Sequence, residues 1–173
     1  MNDRPPVLIE DWLPFEAVGA ESLRDNSAAQ KPPLNRLHVW WARRPLTVSR
    51  AAILAGVLPQ WSADWPESLR QRFPDEASYR AWFVHLLGIR GDPVAGRKEV
   101  QRATELGITL GPLAYGGAPR AFTVNPSPED LTLLRDLLER TWGERDLRVM
   151  DVTAGGGSIP FEALRYGFTT YAN

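Results

Sequence analysis

The sequence predicts an α/β protein, with a helical N-terminal region followed by a single βαβ unit of a parallel sheet. Three observations predict it. Apolar residues recur at helical spacing in the first two thirds of the chain, as in Tyr79, Trp82, Phe83, Leu86 and Leu87. A short β-type run at 147–152 leads into the glycine-rich turn 153–157. A helix pattern at 158–166 is then followed by a second β-type run at 168–172, the order of a parallel pair with its crossover helix.

The elements follow in order. Residues 7–13 are apolar and end at Pro14, and 15–24 suit a short helix. Residues 25–35, with Pro32-Pro33 and polar neighbours, read as an exposed loop. Pro45 fits the first turn of a helix reaching about Val57, with Leu46, Ile53 and Leu54 as buried candidates, and Pro59 closes it. Residues 60–75 are irregular or briefly helical. Residues 76–87 form a helix stopped by Gly88. Asp92-Pro93 is a cap and first residue of another helix, ending at Gly107, and the Gly- and Pro-rich stretch 111–120 is a loop. Ser127-Pro128-Glu129-Asp130 starts the next helix: a hydroxyl cap, a proline at the first position, and acids where the dipole favours them. Leu131, Leu133, Leu134, Leu137 and Leu138 give it an apolar face, and Gly143 ends it. Gly167 stops the last helix.

Composition narrows the chemistry. With 173 residues, 43% hydrophobic and 24% charged, the chain is globular rather than disordered. It has no cysteine, which excludes disulfides and thiolate zinc sites, and with only His38 and His85 no metal site is expected. The start, Met-Asn-Asp-Arg-Pro-Pro, has no apolar signal region and no stretch reaches membrane-spanning length, so a cytoplasmic, non-membrane protein is expected. A net charge of −1 argues against a general polyanion binder and leaves room for a local basic patch. Seven tryptophans are many for this length; they suit core filling with the N–H at the rim, or a contact surface.

The turn reads Asp151-Val152-Thr153-Ala154-Gly155-Gly156-Gly157-Ser158. Ligands of open α/β sheets bind outside the carboxyl ends of the strands, where Asp151 is expected. Glycines there let the backbone approach a ligand, and the first free N–H groups of the next helix point into the same space. A dinucleotide site needs a third glycine at position 160, which is Pro160, and a phosphate loop needs a lysine that is absent. An oxidoreductase using a dinucleotide is therefore disfavoured. The remaining pattern, an acid followed four and six residues later by glycines, suits a cofactor with an amino-acid end.

The run Asp151-Val152-Thr153-Ala154-Gly155-Gly156-Gly157-Ser158-Ile159-Pro160-Phe161-Glu162-Ala163-Leu164-Arg165-Tyr166-Gly167 resembles the first motif of S-adenosylmethionine-dependent DNA adenine methylases. Upstream, Leu37-His38-Val39-Trp40-Trp41-Ala42-Arg43-Arg44-Pro45-Leu46 resembles the signature of the domain of unknown function 1156, which precedes that motif in proteins described as adenine-specific DNA methylases. The resemblance implies a mostly helical domain over 1–125 and, over 126–173, the start of an S-adenosylmethionine-binding methyltransferase domain, the first βαβ unit of an incomplete Rossmann-like fold. It implies Asp151, Thr153, Ala154, Gly155, Gly156, Gly157 and Ser158 as cofactor-binding residues. Val152-Thr153 departs from the Pro-Phe often found there.

An acid that would hold the cofactor ribose is expected just past Asn173, and the Asp/Asn/Ser-Pro-Pro-aromatic loop of adenine methylases is absent. Its nearest candidate, Asn125-Pro126-Ser127-Pro128, lacks the proline pair and the aromatic and reads as a helix cap. No catalytic residue is therefore assigned. The chain reads as an N-terminal fragment or subunit, inactive alone, with the rest of the methyltransferase in cis or in trans. The resemblance implies DNA as partner of the full protein, in a restriction or phage-defence setting, and the alternative is a non-catalytic DNA-binding or assembly module. His38, Trp41, Arg43 and Arg44 are the candidate DNA contacts. Cations just before a helix start oppose its dipole, so an anion is expected near Arg43 and Arg44: a DNA phosphate, the cofactor carboxylate, or an internal acid.

Overall fold

The computed structural model describes residues 4–25 and 44–173, and in them helices dominate beside one two-stranded parallel sheet. Helix α1 (Phe15–Asp25) follows Pro14 and buries Val18 and Ala20. Helix α2 (Leu46–Val57) begins after Pro45, which is its N-cap with φ −58° rather than part of its first turn. Proline offers no capping side chain. The carboxylate of Asp25 supplies one from α1, accepting from the Thr47 amide at 3.3 Å. Leu46 and Leu54 are fully buried and Ile53 packs partly buried against the core.

The stretch at 60–75 contains the short helix α3 (Glu67–Arg72). Helix α4 (Glu76–Leu86) is capped by Asp75, which accepts from the Ser78 amide at 2.7 Å, and the chain leaves it through Gly88 at φ +81°. Helix α5 (Pro93–Glu105) starts as Asp92-Pro93 implies, with the Asp92 carboxylate accepting from the amides of Val94 and Ala95 at 2.9 Å each. The Gly- and Pro-rich loop that follows folds into tight turns over Gly111–Gly117. Helix α6 (Pro128–Trp142) has the full capping box: Ser127 accepts from the Asp130 amide at 3.0 Å, and the Asp130 side chain reaches back to the Ser127 amide at 3.4 Å. Gly143, at φ +75°, ends it.

Strand β1 (Arg148–Asp151), helix α7 (Ser158–Arg165) and strand β2 (Thr169–Ala172) follow. The strands pair in parallel, Arg148 opposite Thr169 and Asp151 opposite Ala172.

The core centres on aromatic rings. Phe73, Tyr79, Trp65 and Trp82 meet at centroid distances of 5.1–6.2 Å. The Tyr79 hydroxyl, buried with them, donates to the Pro59 carbonyl at 2.8 Å. Indole N–H groups reach outward: Trp61 donates to the Phe73 carbonyl, Trp82 to Asp130 and Trp142 to the Val57 carbonyl, at 3.2, 3.0 and 2.7 Å. These indoles fill the core and keep their one donor satisfied. The same apolar cluster runs on past residue 125, where Ala163, Tyr166 and Phe168 join Leu54, Leu86 and Leu134.

Charge reinforces that seam. Arg50 of α2 and Glu162 of α7 are both fully buried and meet at 2.7 Å. The Arg50 guanidinium also donates to the carbonyls of Leu87, Ala121 and Val124 at 2.7–3.2 Å. Arg165 bonds the other Glu162 oxygen at 3.1 Å. The Tyr166 phenol lies against the same group, donates to the Leu86 carbonyl at 2.5 Å, and burial pushes its pKa up to about 12.

Candidate functional site

Strand β1 carries its polypeptide outward and stops at Asp151, an 8% exposed acid whose neighbours Met150 and Val152 are exposed. The side chain then turns the loop that follows: its Oδ1 accepts from the Thr153 amide at 3.0 Å. The backbone just past β2 holds the same place. Asn173 donates to the Asp151 carbonyl and accepts from the Ala154 amide, both at 3.1 Å. Gly155 and Gly157 lie at φ +51° and +70°, a region that strains any side-chain-bearing residue. A Cβ at Gly157 would meet nothing within 4 Å, so the backbone angle and not crowding requires glycine there. Gly157 is the residue from which α7 starts, with no side-chain cap.

Arg44, Asp151, Thr153, Ala154, Gly155, Gly156, Ser158 and Ile159 line one hollow of about 100 Å³. Ser158 is buried, and its hydroxyl donates to the Arg44 carbonyl at 2.8 Å, which fastens the approach to α2 against the start of α7. The Arg44 side chain is exposed, and it has no ion-pair partner among the described residues. Asp151 shares the hollow with this arginine without forming an ion pair with it. An acid, an arginine and bare glycine backbone thus line one hollow.

Its size limits what it accepts. Ligand pockets for whole cofactors span roughly 300–1,000 Å³. A volume of about 100 Å³ accommodates an amino-acid end and not a nucleoside with it. Larger hollows lie elsewhere, one of about 560 Å³ lined by Pro5, Pro59, Trp65 and Leu69 among others, and one of about 630 Å³ beside Tyr115. Neither combines a strand end, a glycine turn and opposed charges, so volume alone is a poor guide here.

Every residue of the expected cofactor set except Gly157 lines the hollow, and Gly157 adjoins it. Of the expected DNA contacts, Arg44 lines the same hollow, whereas His38, Trp41 and Arg43 lie outside the described residues. Asn125 and Ser127, set aside as catalytic, have structural partners: the Asn125 amide oxygen accepts from Arg165 at 2.5 Å and Ser127 caps α6. Arg50 and Glu162 escaped the sequence reading. The available signal was that Arg50 is the sole charged residue in the run Leu46–Val57. No group of three or more His, Cys, Asp or Glu residues among the described residues is placed to hold a metal, and no helix among them is long and apolar enough to cross a membrane.

Residues 12–85 match the model of a family described as "Protein of unknown function (DUF1156)". That span takes in α1 to α4 except the last residue of α4, Leu86, and includes Arg44 and Arg50; the glycine turn lies beyond it. No curated protein and no solved structure matches the chain.

Proposed function

We propose that the turn at 151–158 binds the methionine end of S-adenosylmethionine, and that the protein serves a DNA methyltransferase acting on the adenine amino group. In this reading β1, α7 and β2 are the first βαβ unit of a Rossmann-like methyltransferase fold. The observation that carries it is the position of Asp151: a carboxylate at the end of a parallel strand, lining a small hollow together with the left-handed Gly155.

Bound there, the cofactor supplies an electrophilic methyl group on its sulfonium. The residues of this chain bind and orient. Asp151 attracts an ammonium group by charge, and its own geometry is held by the Thr153 amide. Gly155 and Gly157 keep the loop free of side chains where the ligand approaches. Ser158 fixes the Arg44 backbone beside it. His38, Trp41, Arg43 and Arg44 are assigned to DNA contact in this reading, on the sequence resemblance. Residues 1–173 contain no Asp/Asn/Ser-Pro-Pro-aromatic run, so the group that accepts hydrogen bonds from the target amine is assigned to another part of the protein or to a partner.

Titration calorimetry with S-adenosylmethionine tests the reading. The chain is expected to bind it. Asp151→Asn keeps an oxygen for the Thr153 amide but removes the charge, and should weaken binding about tenfold, as for loss of a charge-assisted hydrogen bond of about 1.5 kcal/mol. No heat of binding with the natively folded chain would overturn the reading and favour a non-catalytic DNA-binding or assembly module.

A further inference from the structure

The hollow beside the glycine turn is lined by one residue of each sign. Asp151 stands at the end of β1, and Arg44 is brought to the same hollow by the Ser158 hydroxyl bonded to its backbone carbonyl at 2.8 Å. Arginine has five donors in a planar fork and stays charged at all working pH values. A cation at the approach to a helix start is disfavoured by the helix dipole unless an anion lies nearby. Six residues on, Arg50 has that anion in Glu162. Arg44 has no ion-pair partner among the described residues, and Asp151, which lines the same hollow, is not paired with it.

We infer that the Arg44 guanidinium is the carboxylate anchor of this site, so that the hollow selects a zwitterionic α-amino acid end and not merely an amine. This rests on the reading of the turn given above and deepens it. A zwitterion places its ammonium and carboxylate on one carbon, a span that a cavity of about 100 Å³ accommodates. Asp151 takes the ammonium. Arg44 takes the carboxylate as an ion pair with paired N–H donors, the geometry for which its fork is suited. Both charges of the ligand are then met, which a hollow of one sign alone would not achieve. Arg44 then belongs with the cofactor-binding residues rather than with the DNA contacts.

Two ligands separate the roles of the two residues. S-adenosylmethionine carries both charges of the amino acid, and its decarboxylated form keeps the sulfonium and the amine and lacks only the carboxylate. Calorimetry on the 173-residue chain is expected to show S-adenosylmethionine bound about tenfold or more tighter than the decarboxylated form. Arg44→Gln should bring the two affinities within about twofold by weakening only S-adenosylmethionine, and Arg44→Lys should restore part of the difference. Asp151→Asn should weaken both ligands alike. Arg44 is exposed, so circular dichroism of its variants should match the parent chain. If the parent binds both ligands and Arg44→Gln leaves their ratio unchanged, the anchor role is wrong while the cofactor reading stands. The same unchanged ratio with a flattened salt dependence of DNA binding would assign the guanidinium to a phosphate instead. If the parent binds neither ligand, both readings fall together.

Discussion

Two arginines on the same stretch of chain meet the strand–helix–strand unit in opposite ways. Arg50 reaches into the protein, pairs with Glu162 at 2.7 Å and is fully covered, with three carbonyls around it. Arg44 is exposed, lines a hollow together with Asp151, and among the described residues is hydrogen-bonded to the unit through its backbone carbonyl. A buried pair that is fully surrounded has no room for a ligand and serves to join two parts of a core. An exposed arginine lining the same hollow as an acid is available to one. Arg50 lies within α2, which packs on α7, and Arg44 lies just before the start of α2.

The sharpest way to break this contrast is to open the closed pair. Arg50→Met leaves Glu162 buried with only Arg165 beside it, and should lower unfolding free energy by about 3 kcal/mol, at the low end for an uncompensated buried charge. Glu162→Gln should do less, because Arg50 retains its carbonyl acceptors. Urea denaturation compares them. Equal effects would mean that the ion pair, not the carbonyls, holds the seam.

The next largest effect compares two glycines with the same backbone demand. Gly88 and Gly157 both have positive φ, +81° and +70°. A Cβ at Gly88 would fall 2.6 Å from the Ala121 carbonyl oxygen and 2.7 Å from the Arg50 guanidinium, whereas at Gly157 it would meet open space. Gly88→Ala should therefore lower stability by about 2–4 kcal/mol, adding overpacking to backbone strain. Gly157→Ala should lower it by about 1 kcal/mol, from strain alone. Thermal melts of the two variants read the difference, and similar shifts would show that the closed region tolerates crowding as well as the open one does.

What the sequence made legible follows from how local each cause is. Asp92-Pro93 and Ser127-Pro128 announce helix starts because a cap and the amides it serves lie within three residues. The strand ends, the glycine turn and the stop at Gly167 are legible for the same reason. The start of α2 was placed one residue off, since its capping carboxylate belongs to Asp25, 22 residues away. Arg50 and Glu162 are 112 residues apart, and no spacing rule connects them. Nor does the sequence reveal that Arg44 stands over the turn; that depends on a hydroxyl bonding across 114 residues. Local motifs outlined both halves of the site, and the long-range bonds that bring them together needed coordinates.

The smallest expected effect tests the seam at its other end, where α6 begins against α4. Asp130 accepts from the Trp82 indole at 3.0 Å and the Ser127 hydroxyl at 2.8 Å. Burial alone would raise its pKa, but the hydrogen bonds from Ser127 and Trp82, with His85 nearby, outweigh it and hold the carboxyl below its ordinary 3.8. A group whose folded pKa is depressed stabilises the fold above the unfolded value and loses that contribution as pH falls through the folded one. Ser127→Ala removes the helix cap and one of the bonds that depress the carboxyl, so it should lower stability by about 1 kcal/mol at neutral pH. As pH drops below about 4, the parent chain loses its carboxylate contribution and the gap between the two should narrow. Trp82, whose indole donates to this carboxylate, is a reporter at the spot: its fluorescence follows protonation and unfolding together with the calorimetric signal. A gap that stays constant down to pH 2 would place the worth of Ser127 in the helix cap alone, and Asp130 would then act as a neutral acceptor as well as it does when charged.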